Sequence, residues 1–280
     1  MTTLLLPAAI VLLLAAAAPT TAPSAAARPG WRLVWSDEFD QPTGAAPDPA
    51  KWRYEAGYIR NAEKQYYTND RRENVRVEDG NLIIEARKED YPIPGSDGKT
   101  AEYTAGSIET YGPDGAWQYG RIEVRAKIPT GRGMWPAIWM LPPAIGKVGW
   151  PKCGEIDIME NVGYDPLKLH GTIHTGAYNH VKKTEKGKYL ELERPWETYH
   201  VYAIEWDANK IDFLIDDRVY NTFENDKKND PMTWPFSQPF YLKLNTAVGG
   251  GWGGRKGIDD SAFPSKFYVD YVRVYQRDKK

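Results

Sequence analysis

At 280 residues the chain is long enough for one large β domain. Its net charge of −2, with acids and bases well mixed, leaves no basic stripe for nucleic acid and no charge run for an interaction tail. A single cysteine excludes an intrachain disulfide, so core size has to stabilise the fold.

Residues 1–27 form a segment apart. Leu4 to Ala18 are apolar except for Pro7, and Ala25-Ala26-Ala27 satisfies a small-residue cleavage pattern, so the segment reads as a secretory signal peptide, although Met1-Thr2-Thr3 lacks the usual positive charge. It is short for a membrane span of about 20 residues. Residues 28–280 are then one domain, secreted or periplasmic. The pattern beyond the leader is nearly all strand. Asp79-Gly80 is a type I′ hairpin signal, and the Gly, Pro and charged residues from Glu89 to Lys99 read as a surface loop. Arg121 to Ile128 alternates polar and apolar residues, as a strand with one buried face does. An aromatic run, Gly133 to Pro142, and then Val148-Gly149-Trp150-Pro151 lead into Gly154-Glu155-Ile156-Asp157-Ile158-Met159-Glu160-Asn161. His170 and His174 follow; four apart, without an H-E-x-x-H pattern or a helix to present them, they make a poor zinc pair. Thr184 to Arg194 reads as a second surface loop, Tyr199 to Tyr202 as an ordinary strand, and Asp216-Asp217 as a second hairpin. The glycine-rich run Leu244 to Gly254 and the alternating strand Lys266 to Tyr275 complete the order. Without a long amphipathic helix or an internal repeat, the pattern predicts a β-sandwich.

The octapeptide at 154–161 carries the chemistry. Side chains at i and i+2 of a strand share a face, so Glu155 and Asp157 point together while Ile156 and Ile158 point into the opposite layer. Glu160 has the wrong parity. It joins the other two only if Ile158 or Met159 is taken up in a β-bulge. Three carboxyls on one surface suit glycosidic cleavage with retention, in which one acid attacks the anomeric carbon and the other protonates the leaving oxygen, the pair standing about 5 to 5.5 Å apart. Like charges this close cannot all ionise, so Asp157 would help fix the local proton count. Cys153, two residues before Glu155, shares its face if the strand is already regular there, and would then be open to bulky thiol reagents.

On E-x-D-x-x-E at 155–160 and the tryptophan runs, with Asp37-Glu38-Phe39, Gln65-Tyr66-Tyr67, Asn74 to Leu82, Tyr119-Gly120-Arg121 and Val269 to Tyr275, the chain resembles glycoside hydrolase family 16 from about Trp31 to Gln276. Within the family it is similar to the bacterial laminarinase-like endo-β-1,3-glucanases; the similar mixed-linkage glucanases usually read E-x-D-x-E. The resemblance implies an all-β fold, the curved β-sandwich jelly roll of the concanavalin A-like lectins and glucanases, with a cleft across one sheet. It implies Glu155 as nucleophile, Glu160 as general acid/base and Asp157 as helper. Trp135, Trp139, Trp150 and Trp252 match sugar-stacking positions, His174 a cleft histidine, and Asn61, Glu63, Gln65 and Asn245 polar groups facing sugar hydroxyls. Two departures stand out: Lys64 sits where an apolar residue is common, and Ser107 where many laminarinases carry an arginine. Catalysis needs no cofactor, but a structural calcium ion is expected on Glu38, the Gly80 carbonyl and Asp270, hard oxygen donors that suit it. The expected activity is a retaining endo-β-1,3-glucanase acting as a monomer on a laminarin-like β-glucan. The alternatives are a mixed-linkage β-1,3-1,4-glucanase, a transglycosylase or cell-wall structural protein, and a non-catalytic lectin-like binder, the last disfavoured by a costly cluster of partly buried acids.

Overall fold

The computed structural model describes residues 28–110 and 114–278; the expected leader, residues 1–27, lies outside the described residues. In chain order the strands are β1 (Trp31–Asp37), β2 (Trp52–Tyr54), β3 (Gln65–Tyr67), β4 (Val75–Glu78), β5 (Asn81–Pro92), β6 (Thr100–Ala105), β7 (Ser107–Thr110), β8 (Ala116–Trp117) and β9 (Gly120–Lys127). They continue as β10 (Met134–Leu141), β11 (Glu155–Glu160), β12 (Lys168–His174), β13 (Lys186–Glu191), β14 (His200–Trp206), β15 (Lys210–Ile215), β16 (Arg218–Glu224), β17 (Phe240–Val248) and β18 (Ser265–Arg277). One α-helical turn, α1 (Ile145–Val148), and one 3-10 turn (Asp260–Ala262) interrupt them among the described residues. No helix among the described residues is long and apolar enough to cross a membrane.

Two sheets form a β-sandwich. The first runs β16-β15-β14-β9-β18-β5-β6-β3, with β1 and β4 added beside β18 and β5; the second runs β13-β12-β11-β10-β17-β7-β2, with β8 on β17. Period-two alternation fixes which face each strand buries. Ile122 and Val124 of β9, Tyr202 and Ile204 of β14 and Val272 and Val274 of β18 meet Ile138 and Met140 of β10, Ile156 of β11, Ile173 of β12 and Leu242 and Leu244 of β17 in one buried core. The opposite faces of β10, β11, β12 and β17 are thereby left to line a cleft.

Both predicted hairpins form, with positive φ at Asp79 and Gly80 (51° and 74°) and at Asp216 and Asp217 (50° and 62°), as a type I′ turn requires. Two loop expectations need correction. β5 continues through Glu89 to Pro92, so the connection to β6 is only 93–99. Thr184 to Arg194 contains β13, an edge strand paired with β12. Every residue of β13 except Leu190 is exposed, so it has no buried face and hence no hydrophobic alternation to reveal it.

Candidate active site

The bulge that the acid spacing demands is present in β11. Against β10, Glu160 pairs with Ala137, Met159 with Ile138 and Asp157 with Trp139, so Ile158 is the extra residue; against β12, Asp157 opposes Thr172 while Glu160 opposes His170. Ile158 and Met159 both go into the core, and Glu155, Asp157 and Glu160 all line one cleft of about 1140 Å³.

Burial dominates the electrostatics here. Desolvation pushes Glu155 up to about 8, with the neighbouring Glu160 charge adding to it; Arg60, the Trp150 indole and Lys243 pull the other way. Glu160 is raised to about 7, first by burial, against the opposing hydrogen bond that Trp135 Nε1 donates to its Oε1 at 2.9 Å. Burial raises Asp157 well above the usual carboxylate range, and Glu155 and Glu160 raise it further. All three carboxyls are thus raised together, and groups this close share their protons and titrate as a unit. His174 Nε2 lies 3.4 Å from Asp157 Oδ2 and 3.7 Å from Glu155 Oε1. Burial and His180 hold its pKa down to about 4, so the ring is neutral at pH 7.

Aromatic rings flank both glutamates. Trp135 and Trp252 stand edge to face at 5.5 Å beside Glu160, with His170 5.0 Å from Trp252. Trp150 lies near Glu155, its ring 5.9 Å from His174 and 5.0 Å from His180. Trp139 is more enclosed, at 8% exposure, and donates Nε1 to Asn245 Oδ1 at 2.7 Å. Asn245 in turn donates to the Tyr67 hydroxyl at 3.0 Å, and that hydroxyl donates to Glu63 Oε2 at 3.2 Å. Asn61 donates to the other Glu63 oxygen at 3.2 Å. Gln65 differs from its expected role. It is 1% exposed, its amide N–H donates to Glu63 at 2.7 Å, and its carbonyl accepts from the Val248 amide at 2.7 Å. It holds Glu63 in place and does not line the cleft.

The sequence reading missed a group of charges under Trp139. Lys243 pairs with Glu55 at 2.8 Å and with Glu109, and Arg60 pairs with Glu55, which also accepts from the Ser107 hydroxyl at 2.6 Å. Lys243 and Arg60 lie 5.1 and 5.0 Å from the centre of the Trp139 ring. Two cations thus flank Trp139 near Ser107. Lys243 had a legible signal, since it sits two residues before Asn245 in an alternating strand. His180 and Arg60, both in irregular segments, had none.

Two further expectations meet the structure elsewhere. Cys153 precedes β11, which starts only at Glu155, and Gly154 at φ +88° breaks the alternation. The thiol is therefore buried, 1% exposed, and pushed up to about 11 by desolvation and by Glu155, which makes it inert to bulky reagents. The proposed calcium donors lie along β18: Asp270 is within it, Glu38 follows Asp37, which pairs with Val272, and Gly80 precedes Leu82, which pairs with Val269. As a donor set they are hard oxygens, as calcium prefers, but an ion has to compete with cations already there. Arg273 binds both Glu38 oxygens, at 2.9 and 2.7 Å, and Arg125 donates to Asp270 at 2.5 Å.

The profile of the family described as "Glycosyl hydrolases family 16" matches residues 62–273. A beta-glucanase of Rhodothermus marinus is 50% identical over 256 residues, covering 89% of this chain and 86% of its own length. The X-ray structure of the laminarinase from Rhodothermus marinus superposes with a TM-score of 0.82 at 49% identity, covering 89% of this chain and 98% of that one. SCLam, a non-specific endo-beta-1,3(4)-glucanase, also gives 0.82, at 48% identity over 93% of this chain and 94% of its own.

Proposed function

Since the chain belongs to glycoside hydrolase family 16, we propose that it is a retaining endo-β-1,3-glucanase whose Glu155 attacks the anomeric carbon while Glu160 protonates the departing glycosidic oxygen. One observation carries this reading: the bulge at Ile158, which turns both glutamates and Asp157 to the same cleft. Attack on a bound glucosyl unit forms a glycosyl ester on Glu155, and Glu160, now ionised, takes a proton from the water that cleaves it. Asp157, whose carboxyl burial raises well above the usual range, can in its protonated form donate a hydrogen bond to Glu155 and stabilise the carboxylate that must attack. Trp135, Trp150 and Trp252 offer ring faces to the sugars on either side of the cleaved bond.

Glu155→Gln and Glu160→Gln are each expected to lower glucan hydrolysis by at least a thousandfold while leaving folding and oligosaccharide binding intact. Proton NMR of the first products from laminarin should show the β anomer; an α product overturns the retaining assignment. The similarity to SCLam favours a second reading in which mixed-linkage glucan is also cut. Product analysis on laminarin, curdlan and lichenan in parallel separates the two.

The same reading includes export through removal of residues 1–27, a monomer acting outside the cytoplasm, and a calcium ion held by Glu38, the Gly80 carbonyl and Asp270. The placement of Glu38 and Gly80 beside the middle of β18, where Asp270 sits, supports the ion, which would tie the end of β1 and the β4–β5 turn to that strand.

A further inference from the structure

Ligand atoms of two kinds converge beside Glu155. The His174 Nε2, Asp157 and Glu155 donor atoms all lie within 4.8 Å of one another. The 3.4 Å between His174 Nε2 and Asp157 Oδ2 is longer than the ~2.7–3.2 Å of a good N–H···O hydrogen bond. It does match the edge of a tetrahedron: zinc bonds of about 2.0–2.1 Å to nitrogen and oxygen place neighbouring ligands about 3.4 Å apart. The 3.7 Å from His174 to Glu155 closes to that edge with a small side-chain shift. Asp157 supplies an independent sign. Its side chain is buried, with the residue 3% exposed, yet Oδ2, the oxygen turned to the imidazole, has no hydrogen-bond partner. Buried polar atoms are nearly always satisfied, and an orphaned carboxylate oxygen facing an imidazole nitrogen would be satisfied by a cation between them.

We propose that Glu155, Asp157 and His174 form a site for a divalent transition cation of the zinc class, and that the bound ion reversibly shuts the enzyme by occupying the carboxylate that attacks. One imidazole nitrogen with two carboxylates suits zinc or copper; calcium prefers six to eight oxygens. Three protein ligands leave the fourth position to water. His174 Nδ1 has no protein partner to orient the ring, and such outer support is commonly worth about ten- to a hundredfold in affinity, so a chelator should strip the ion readily. This site is distinct from the proposed calcium position on the other sheet. Binding follows from the geometry alone, whereas inhibition rests on the assignment of Glu155 as the attacking group.

The test is a titration of chelator-treated full-length protein with Co2+ alone, read by visible absorption, followed by displacement with Zn2+ and assay of hydrolysis. One Co2+ per chain with intense four-coordinate bands is expected, weakened at least tenfold in Asp157→Asn and in His174→Gln but unchanged in His180→Ala. Zn2+ should inhibit at the concentration at which it displaces Co2+, and chelator should restore activity. Undiminished binding in both ligand variants, loss of binding in His180→Ala, or a thiolate charge-transfer band from Cys153 overturns the site. Binding as expected without inhibition keeps the site and refutes inhibition through Glu155.

Discussion

Glu160 and Trp135 set the pH response of the proposed reaction. Glu160 must be protonated to donate, and burial raises its carboxyl above the usual carboxylate range, so kcat/KM should fall on the alkaline side as Glu160 ionises. The Trp135 indole N–H favours the ionised form. Trp135→Phe removes that bond, so the alkaline limb should move upward by roughly half to one unit, since a hydrogen bond is worth about 0.5–1.5 kcal/mol. A pH–rate profile on a short soluble substrate checks this, and an unmoved or lowered limb refutes it. Glu155 gives a matching effect on stability. Its folded pKa of about 8 lies above an unfolded value near ~4.3, so its contribution is fully present below the unfolded value and is lost as pH rises through the folded one. Glu155→Gln should therefore melt several degrees above the parent at pH 9 and gain much less at pH 5, as scanning calorimetry would show; an equal gain at both pH values contradicts the raised pKa. The acids themselves were legible because three carboxyls in an apolar run have no cheap structural explanation. The Gln65 role was not, because a buried amide that props up Glu63 has the same composition as one that meets a sugar.

Strand β11 and strand β13 show what local pattern can and cannot encode. In β11 the parity conflict between Asp157 and Glu160 implied a bulge, and the register places it at Ile158. Deleting Ile158 restores strict alternation, with Glu155, Asp157 and the former Glu160 still on one face. The variant should fold and keep measurable glucanase activity. It loses a buried isoleucine, a change worth about 2–5 kcal/mol, so its Tm should fall by roughly 5–15 °C. Complete loss of folding would show that the ladder around the bulge cannot close without it. β13 carried no such signal. Its exposed, lysine-rich sequence is the ordinary dress of a protected sheet edge, and only its pairing with β12 makes it a strand. The reading of Cys153 failed for a related reason, since strand parity says nothing about where the strand begins.

For the whole molecule the two-layer fold was readable from alternation and hairpin turns, whereas the order of strands within each sheet was not, because most pairings join distant parts of the chain. The proposed calcium ion would act at this scale. An ion at Glu38, Gly80 and Asp270 binds only the folded sheet, so a chelator should lower Tm while scarcely changing the initial rate at mild temperature, and Asp270→Ala should abolish the response. Identical melting curves for metal-stripped and calcium-saturated protein remove the ion from this account. β18 has a consequence of another kind. It pairs with β5 and β1 on one side and β9 on the other, and it joins Trp31 to Arg277. A ribosome must release nearly every residue of the domain before that sheet can close, so this layer cannot be completed while the chain is still being made. A chain held short of its final fold in this way suits passage through a narrow translocation channel, as the proposed export would require.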